Sequence, residues 1–271
     1  MINNNVVVVI PIYKQKPDIY ETASFRQCLN ILRNYDIFIV TYKELNCSLY
    51  SKTAEEYNHK LYFEYFDKIY FSSVGGYNRL CLSKEFYERF QSFEYMLIYQ
   101  LDAWVFRDEL SRWCSKGYDF IGAPWFIENN GCYTYRMLGS VGNGGFSLRR
   151  ISFCLDALNY PKFVPIMKIA GLLKMSQRKK IDYIKAFIKA LGYNNNLYSL
   201  IDKDVNEDYI FSCFKYSYHK CFIPCPNDAI GFSFEVHPSY LYKLNGNKFP
   251  FGCHAFMKNE YDIFWQNYIV F

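Results

Sequence analysis

Five consecutive branched apolar residues, Val6-Val-Val-Val-Ile10, run straight into Pro11-Ile-Tyr13, and this stretch constrains the fold more than any other. A strand with one wet face alternates apolar and polar residues. A run without polar interruption is buried on both faces, which requires a sheet covered on both sides. Tyr95-Met-Leu-Ile-Tyr-Gln100 has the same character, and Asp36-Ile-Phe-Ile-Val40 and Lys68-Ile-Tyr-Phe71 read as two further strands. Between them lie helical patterns. Phe25, Cys28, Leu29 and Leu32 share one face over residues 19–33, a polar stretch over 42–60 is loop with some helix, and Asn78 is placed to cap a helix over 79–90. Strands alternating with helices predict a single α/β domain built on a mostly parallel mixed sheet flanked by helices.

The pattern continues with a helix over 107–115, a strand over 118–122, a loop carrying Gly131, Gly139, Gly142, Gly144 and Gly145, a strand over 145–148 and a helix over 151–158. Asn206 is placed to cap a helix over 207–218. No internal repeat and no domain boundary interrupts the 271 residues, of which 51% are hydrophobic, enough for one full core. The 27 Tyr and 25 Phe read mostly as core and surface filler.

Charge and cysteine narrow the setting. A net charge of +5 is too mild to demand nucleic acid, and none is expected as a partner. The ten cysteines are scattered through apolar patterns and no signal peptide precedes them, so reduced thiols in the cytoplasm are expected. Cys221-Phe-Ile-Pro-Cys225 has no second pair to complete a zinc site, and no apolar run approaches the ~18 residues that span a bilayer. From Lys162 to Lys189, eight Lys and Arg face the single acid Asp182. A basic amphipathic helix there, an insert over 161–191, would rest on an anionic membrane surface, at the inner face of the membrane, unless it is an ordinary solvated face.

In open α/β sheets ligands lie beyond the carboxyl ends of the strands. Asp102 falls at such an end, as do Pro11, Ile12 and Tyr13. An Asp there caps the next turn or holds a divalent cation bridging phosphate oxygens. Asn143-Gly144-Gly145 is either a turn or a place where backbone approaches a ligand, with the Asn143 amide reaching sugar hydroxyls. Glu207 and Asp208 sit at a helix start, where they favour the dipole or supply a general base. His254, and less so His237, is packed or reaches a metal or diphosphate. Arg79 is placed to touch phosphate or base. Trp104 and Trp125 either stack on a ligand or fill the core.

In order along the chain, these segments resemble a family. Ile10-Pro-Ile-Tyr13, Tyr-Gln100-Leu-Asp102-Ala-Trp, Phe-Ile-Gly-Ala-Pro-Trp125, Gly-Asn143-Gly-Gly-Phe-Ser-Leu-Arg149, Asn-Glu-Asp208 and Gly-Cys-His254-Ala-Phe are similar to the nucleotide-sugar glycosyltransferases of the GT-A fold. More narrowly, they are similar to a bacterial group with Q-x-D-A and G-N-G-G-F-S-L-R motifs. The resemblance implies a nucleotide-binding half over 1–105 and an acceptor half over 106–271. It implies a sugar moved from a nucleotide donor, a UDP-sugar by expectation, to a glycan or lipid-linked acceptor in polysaccharide or glycoconjugate synthesis. It also implies Asp102 and His254 on a Mn or Mg ion, Asp208 (or Glu207) as base of an inverting reaction, and Pro11, Ile12 and Tyr13 beside the nucleobase. A retaining reaction and a binding protein on a degenerate scaffold remain open. Gln100 stands where the family carries the first Asp of its Asp-x-Asp motif, which makes the cation conditional.

Overall fold

In this computed structural model, residues 5–159, 206–213 and 221–270 are described. The basic stretch over 162–189, the insert over 161–191 that contains it and the end of the helix expected over 207–218 lie outside the described residues.

Strands β1 (Val6–Pro11), β2 (Asp36–Thr41), β3 (Leu61–Tyr65), β4 (Tyr95–Tyr99), β6 (Phe120–Ile121) and β9 (Phe146–Arg150) form a six-stranded sheet in the order β3-β2-β1-β4-β9-β6. β1 runs parallel to β2 and β4, and β2 parallel to β3, while β9 pairs antiparallel with both β4 and β6. The sheet is therefore mixed and mainly parallel. The double-sided burial expected of β1 is found: Val6, Val8 and Ile10 enter one core with α1 (Ile19–Ile31), and Val7 and Val9 enter the other with α3 (Val74–Cys81) and α4 (Lys84–Glu88). α1 starts where Asp18 accepts from the backbone N–H of Tyr20 and Glu21 while Glu21 accepts in return from the Asp18 N–H, a reciprocal cap.

Three local expectations are corrected. The third strand is Leu61–Tyr65, and Lys68–Phe71 is a 3₁₀ turn because the Asp67 carboxylate accepts from the Ile69 N–H. The single helix over 79–90 is two helices, α3 and α4, started by Ser73 and Ser83, whose hydroxyls accept from Gly76 and Phe86 N–H. Asn78 lies buried inside α3 and donates to Asn206 at 3.3 Å. The expected glycine loop is mostly a β-hairpin, β7 (Ala123–Asn129) and β8 (Cys132–Gly142). Asn130 and Gly131 turn it with φ of 49° and 80°, the paired left-handed conformation that an Asn-Gly turn supplies. Two register shifts along the pair bend it.

A second sheet completes the architecture. β5 (Trp104–Val105), β10 (Ser233–Phe234) and β11 (Gly252–Cys253) lie in the order β10-β11-β5 over a third core that includes Trp104, Phe234, Phe256 and Trp265. Around them are α5 (Leu110–Ser115), α6 (Ile151–Asn159), α7 (Glu207–Cys213), α8 (Pro226–Ala229) and α9 (Pro238–Leu244). Among the described residues no helix is long and apolar enough to cross a membrane.

Candidate active site

The chain goes from β1 outward to β2 and β3 and then returns to β4 on the other side of β1. The carboxyl ends of β1 and β4 therefore flank the point where strand order reverses, the place where open α/β sheets bind ligands. Pro11 ends β1 and Ile12 and Tyr13 follow it; Ile12 is buried and Tyr13 is exposed. Gln100, Leu101 and Asp102 follow β4 in a tight turn closed by the Ala103 N–H donating to the Gln100 carbonyl.

The C-terminal segment supplies the partner of Asp102. Cys253 of β11 pairs with Trp104 of β5, which brings His254, the next residue, to the turn that carries Asp102. His254 Nε2 lies 3.0 Å from Asp102 Oδ1, and its Nδ1 lies 3.0 Å from Glu235 Oε1. Lys258 Nζ is 3.6 Å from Asp102 Oδ2. Burial opposes charge on the imidazole, but Asp102 and Glu235 outweigh it and raise His254 to about 10. Burial likewise opposes charge on Asp102, yet His254 and then Lys258 hold it down at about 2.

The glycines place this pair against the sheet. Asn143 Oδ1 accepts from the N–H of Gly145 and Phe146 at 2.9 and 3.1 Å, fixing the turn into β9, while its buried Nδ2 has no partner among the described residues. A Cβ on Gly145 would come within 2.0 Å of His254 Nε2, and one on Gly144 within 2.8 Å of Glu207 Oε1. These two positions have room for no side chain because the His and Glu lie on the backbone itself.

Glu207 and Asp208 open α7 but have different environments. Glu207 pairs at 2.7 Å with Arg149, whose side chain is wholly buried, lies near the Phe120 and Phe211 rings, and also donates to Ser147 and Tyr87. Asp208, 6% exposed, has no cationic partner of its own among the described residues; one oxygen accepts from the Tyr209 N–H at 2.8 Å. Burial, then the negative charges of Glu207 and Glu235, push its carboxyl up to about 8. The structure thus separates two adjacent acids into one neutralised by a buried Arg and one held near neutrality of charge at physiological pH.

Other sequence candidates lie elsewhere. Arg79 is exposed on α3 with no ion pair among the described residues. His237 starts α9 and stacks on Tyr135 at 4.3 Å. Trp104 belongs to the third core, whereas Trp125 stacks on Tyr209 beside Asp208. Glu235 and Lys258 were not singled out from sequence. Glu235 lies in the same Phe-Glu-Val-His segment as His237, directly after β10, and only the pairing of β10 with β11 brings it to His254; Lys258 carries no local signal.

The two carboxylates that hold a proton on His254 define a place for positive charge. A divalent cation would take the place of that proton, held by Asp102 and His254 with Glu235 keeping Nδ1–H oriented, once the imidazole moves off the Gly145 backbone that buries Nε2. The 3.0 Å between Nε2 and Asp102 Oδ1 suits neighbouring ligands of one ion. Among the described residues no three His, Cys, Asp or Glu side chains converge on a single cation position, so the remaining ligands would be phosphate and water.

The fold is similar to several solved glycosyltransferases at low identity. Core-mannan synthase A from Aspergillus fumigatus, in a Mn/GDP form, is 9% identical with a TM-score of 0.44, over 75% of this chain and 70% of that one. Mouse xyloside xylosyltransferase 1 is 10% identical with a TM-score of 0.49, over 92% and 96%. A glycosyltransferase involved in glycosylation of the major capsid of PBCV-1 is 11% identical with a TM-score of 0.43, over 98% and 99%. No curated protein matches the chain in sequence. Residues 60–254, more than two thirds of the chain, match the family described as protein of unknown function (DUF5672), and the chain belongs to that family.

Proposed function

We propose that this protein is an inverting glycosyltransferase that moves a sugar from a nucleotide donor to an acceptor hydroxyl. The observation that carries it is the meeting of Asp102 and His254 at the strand-order reversal, with a raised Asp208 that feels the charge of the Glu235 which also holds His254. The nucleotide would lie across residues 11–13 and the acceptor against the second half of the chain. Asp208 takes the proton of the acceptor hydroxyl. That oxygen bonds to the anomeric carbon as the bond to the diphosphate breaks, and the diphosphate leaves with the electron pair. A carboxyl held near the working pH suits this exchange. Asp102 and His254 would hold a divalent cation, which neutralises charge on the leaving diphosphate. The Glu207–Arg149 pair anchors the start of α7 and so orients Asp208.

Donor turnover with a panel of UDP- and GDP-sugars, with and without Mn, tests the reading. Asp102→Ala is expected to lose most activity, and the product's anomeric configuration, read by NMR, reports inversion. Folded protein that binds no nucleotide sugar overturns the proposal. Gln100, in place of a second carboxylate, favours one other reading: nucleotide-sugar binding without turnover, which is indifferent to chelator.

A further inference from the structure

The transferase reading leaves the acceptor open, and the surface beside Asp208 narrows it. Trp125 on β7 and Tyr209 on α7 stack with ring centroids 4.3 Å apart and planes 24° from parallel. Tyr133, on β8, is 49% exposed and lies within electrostatic reach of Glu128 and Glu235. Tyr209 is within reach of the same two acids, of Tyr133 and of Asp208. Three rings and two carboxylates, Glu128 and Glu235, therefore lie around the raised carboxyl of the candidate base.

This combination selects a chemistry. Aromatic faces take up the C–H face of a sugar ring, and carboxylate oxygens accept hydrogen bonds from its hydroxyls. The same carboxylates repel a phosphate or a uronate brought among them. The hairpin pairs Tyr133 with Glu128 and carries it within electrostatic reach of Tyr209 on α7. Its two register shifts carry the outer half of β8 out of simple alternation with β7.

We propose that the β7–β8 hairpin and the start of α7 form the acceptor platform, and that the acceptor is a neutral saccharide lying on Tyr133 and Tyr209. Its reacting hydroxyl is directed at Asp208. The role in the reaction rests on the transferase reading; the binding does not require turnover.

The experiment is a titration of parent, Tyr133→Ala and Glu128→Gln protein with neutral oligosaccharides and matched uronate-containing ones. Binding is followed by saturation-transfer NMR in the presence of UDP or GDP. Tyr133 is the variant of choice because its ring is half exposed. Trp125 packs against Gly142, where a Cβ would come within 2.0 Å of its ring, so its removal also disturbs the hairpin. At least one neutral saccharide is expected to bind, about ten-fold more weakly to Tyr133→Ala at unchanged melting temperature. Acidic counterparts are expected to bind about ten-fold more weakly than neutral ones, with Glu128→Gln narrowing the gap. Equal affinity in parent and Tyr133→Ala, preference for the acidic series, or no binding across the panel overturns the platform. Nucleotide-sugar binding without saccharide binding removes the platform and leaves the transferase reading standing. Saccharide binding without nucleotide-sugar binding does the reverse.

Discussion

Asp208 carries an opposition between stability and use. Its carboxyl is raised by burial and by Glu207 and Glu235, so the folded chain binds that proton more tightly than the unfolded chain does. Between about pH 4, where a free Asp titrates, and about pH 8, the folded state holds the extra proton and stability falls as pH rises. Asparagine does not titrate. Asp208→Asn is expected to melt above the parent, with a gap that opens from about pH 4 and levels off above about pH 8, while transfer drops by at least ~100-fold. Melting curves across pH, beside transfer rates, check both halves. A variant that melts lower than the parent at pH 8 contradicts the raised carboxyl. Sequence shows Asp102, Asp208, His254 and the glycines as separate points. It does not show that Gly145 backs onto His254 or that Glu207 is neutralised by Arg149, because those contacts depend on where β9 and α7 pack.

At the scale of elements, the hairpin carries a legible signal that the glycines after it mask. Asn130-Gly131 lies between Trp125-Phe-Ile and Tyr133-Thr-Tyr, a strong turn signal between apolar runs. The later glycines drew the whole stretch toward loop, and the register shifts erase the two-residue period that marks a strand. The third strand was displaced for a related reason: Leu61–Tyr65 and Lys68–Phe71 have similar composition, and the Asp67 side chain turns the second into a 3₁₀ segment. By contrast β1 and β4, with no polar interruption, left no alternative. Gly131 has a φ of 80° and open space around any added Cβ, so replacing it isolates the backbone cost. Gly131→Ala is expected to cost about 1 kcal/mol, a fall of about 2 °C or more in Tm. An unchanged Tm would show that the turn does not need its left-handed residue.

For the whole molecule, the decisive pairing is between two strands of two residues each, β5 and β11. Strands so short carry no periodic signal, so the sequence marks His254 without saying what it meets. If Asp102 and His254 share a cation, Mn at 100-fold its Kd is expected to stabilise the folded chain by ~2.7 kcal/mol, and His254→Ala should lose most of that shift. Thermal melts with UDP or GDP present measure it; no Mn-dependent shift in the parent removes the cation from the site.

The β5–β11 pairing also sets a schedule. A chain emerging from the ribosome can form β1, β2, β3 and β4 long before residues 252–254 are made, and N-terminal parts fold first during synthesis. Asp102 then waits, without its His, until residues 252–254 have been translated. A product cut short after β9 would keep all six strands of the main sheet and lack the Asp102–His254 pair altogether, so synthesis of the main sheet and acquisition of the site are separate events.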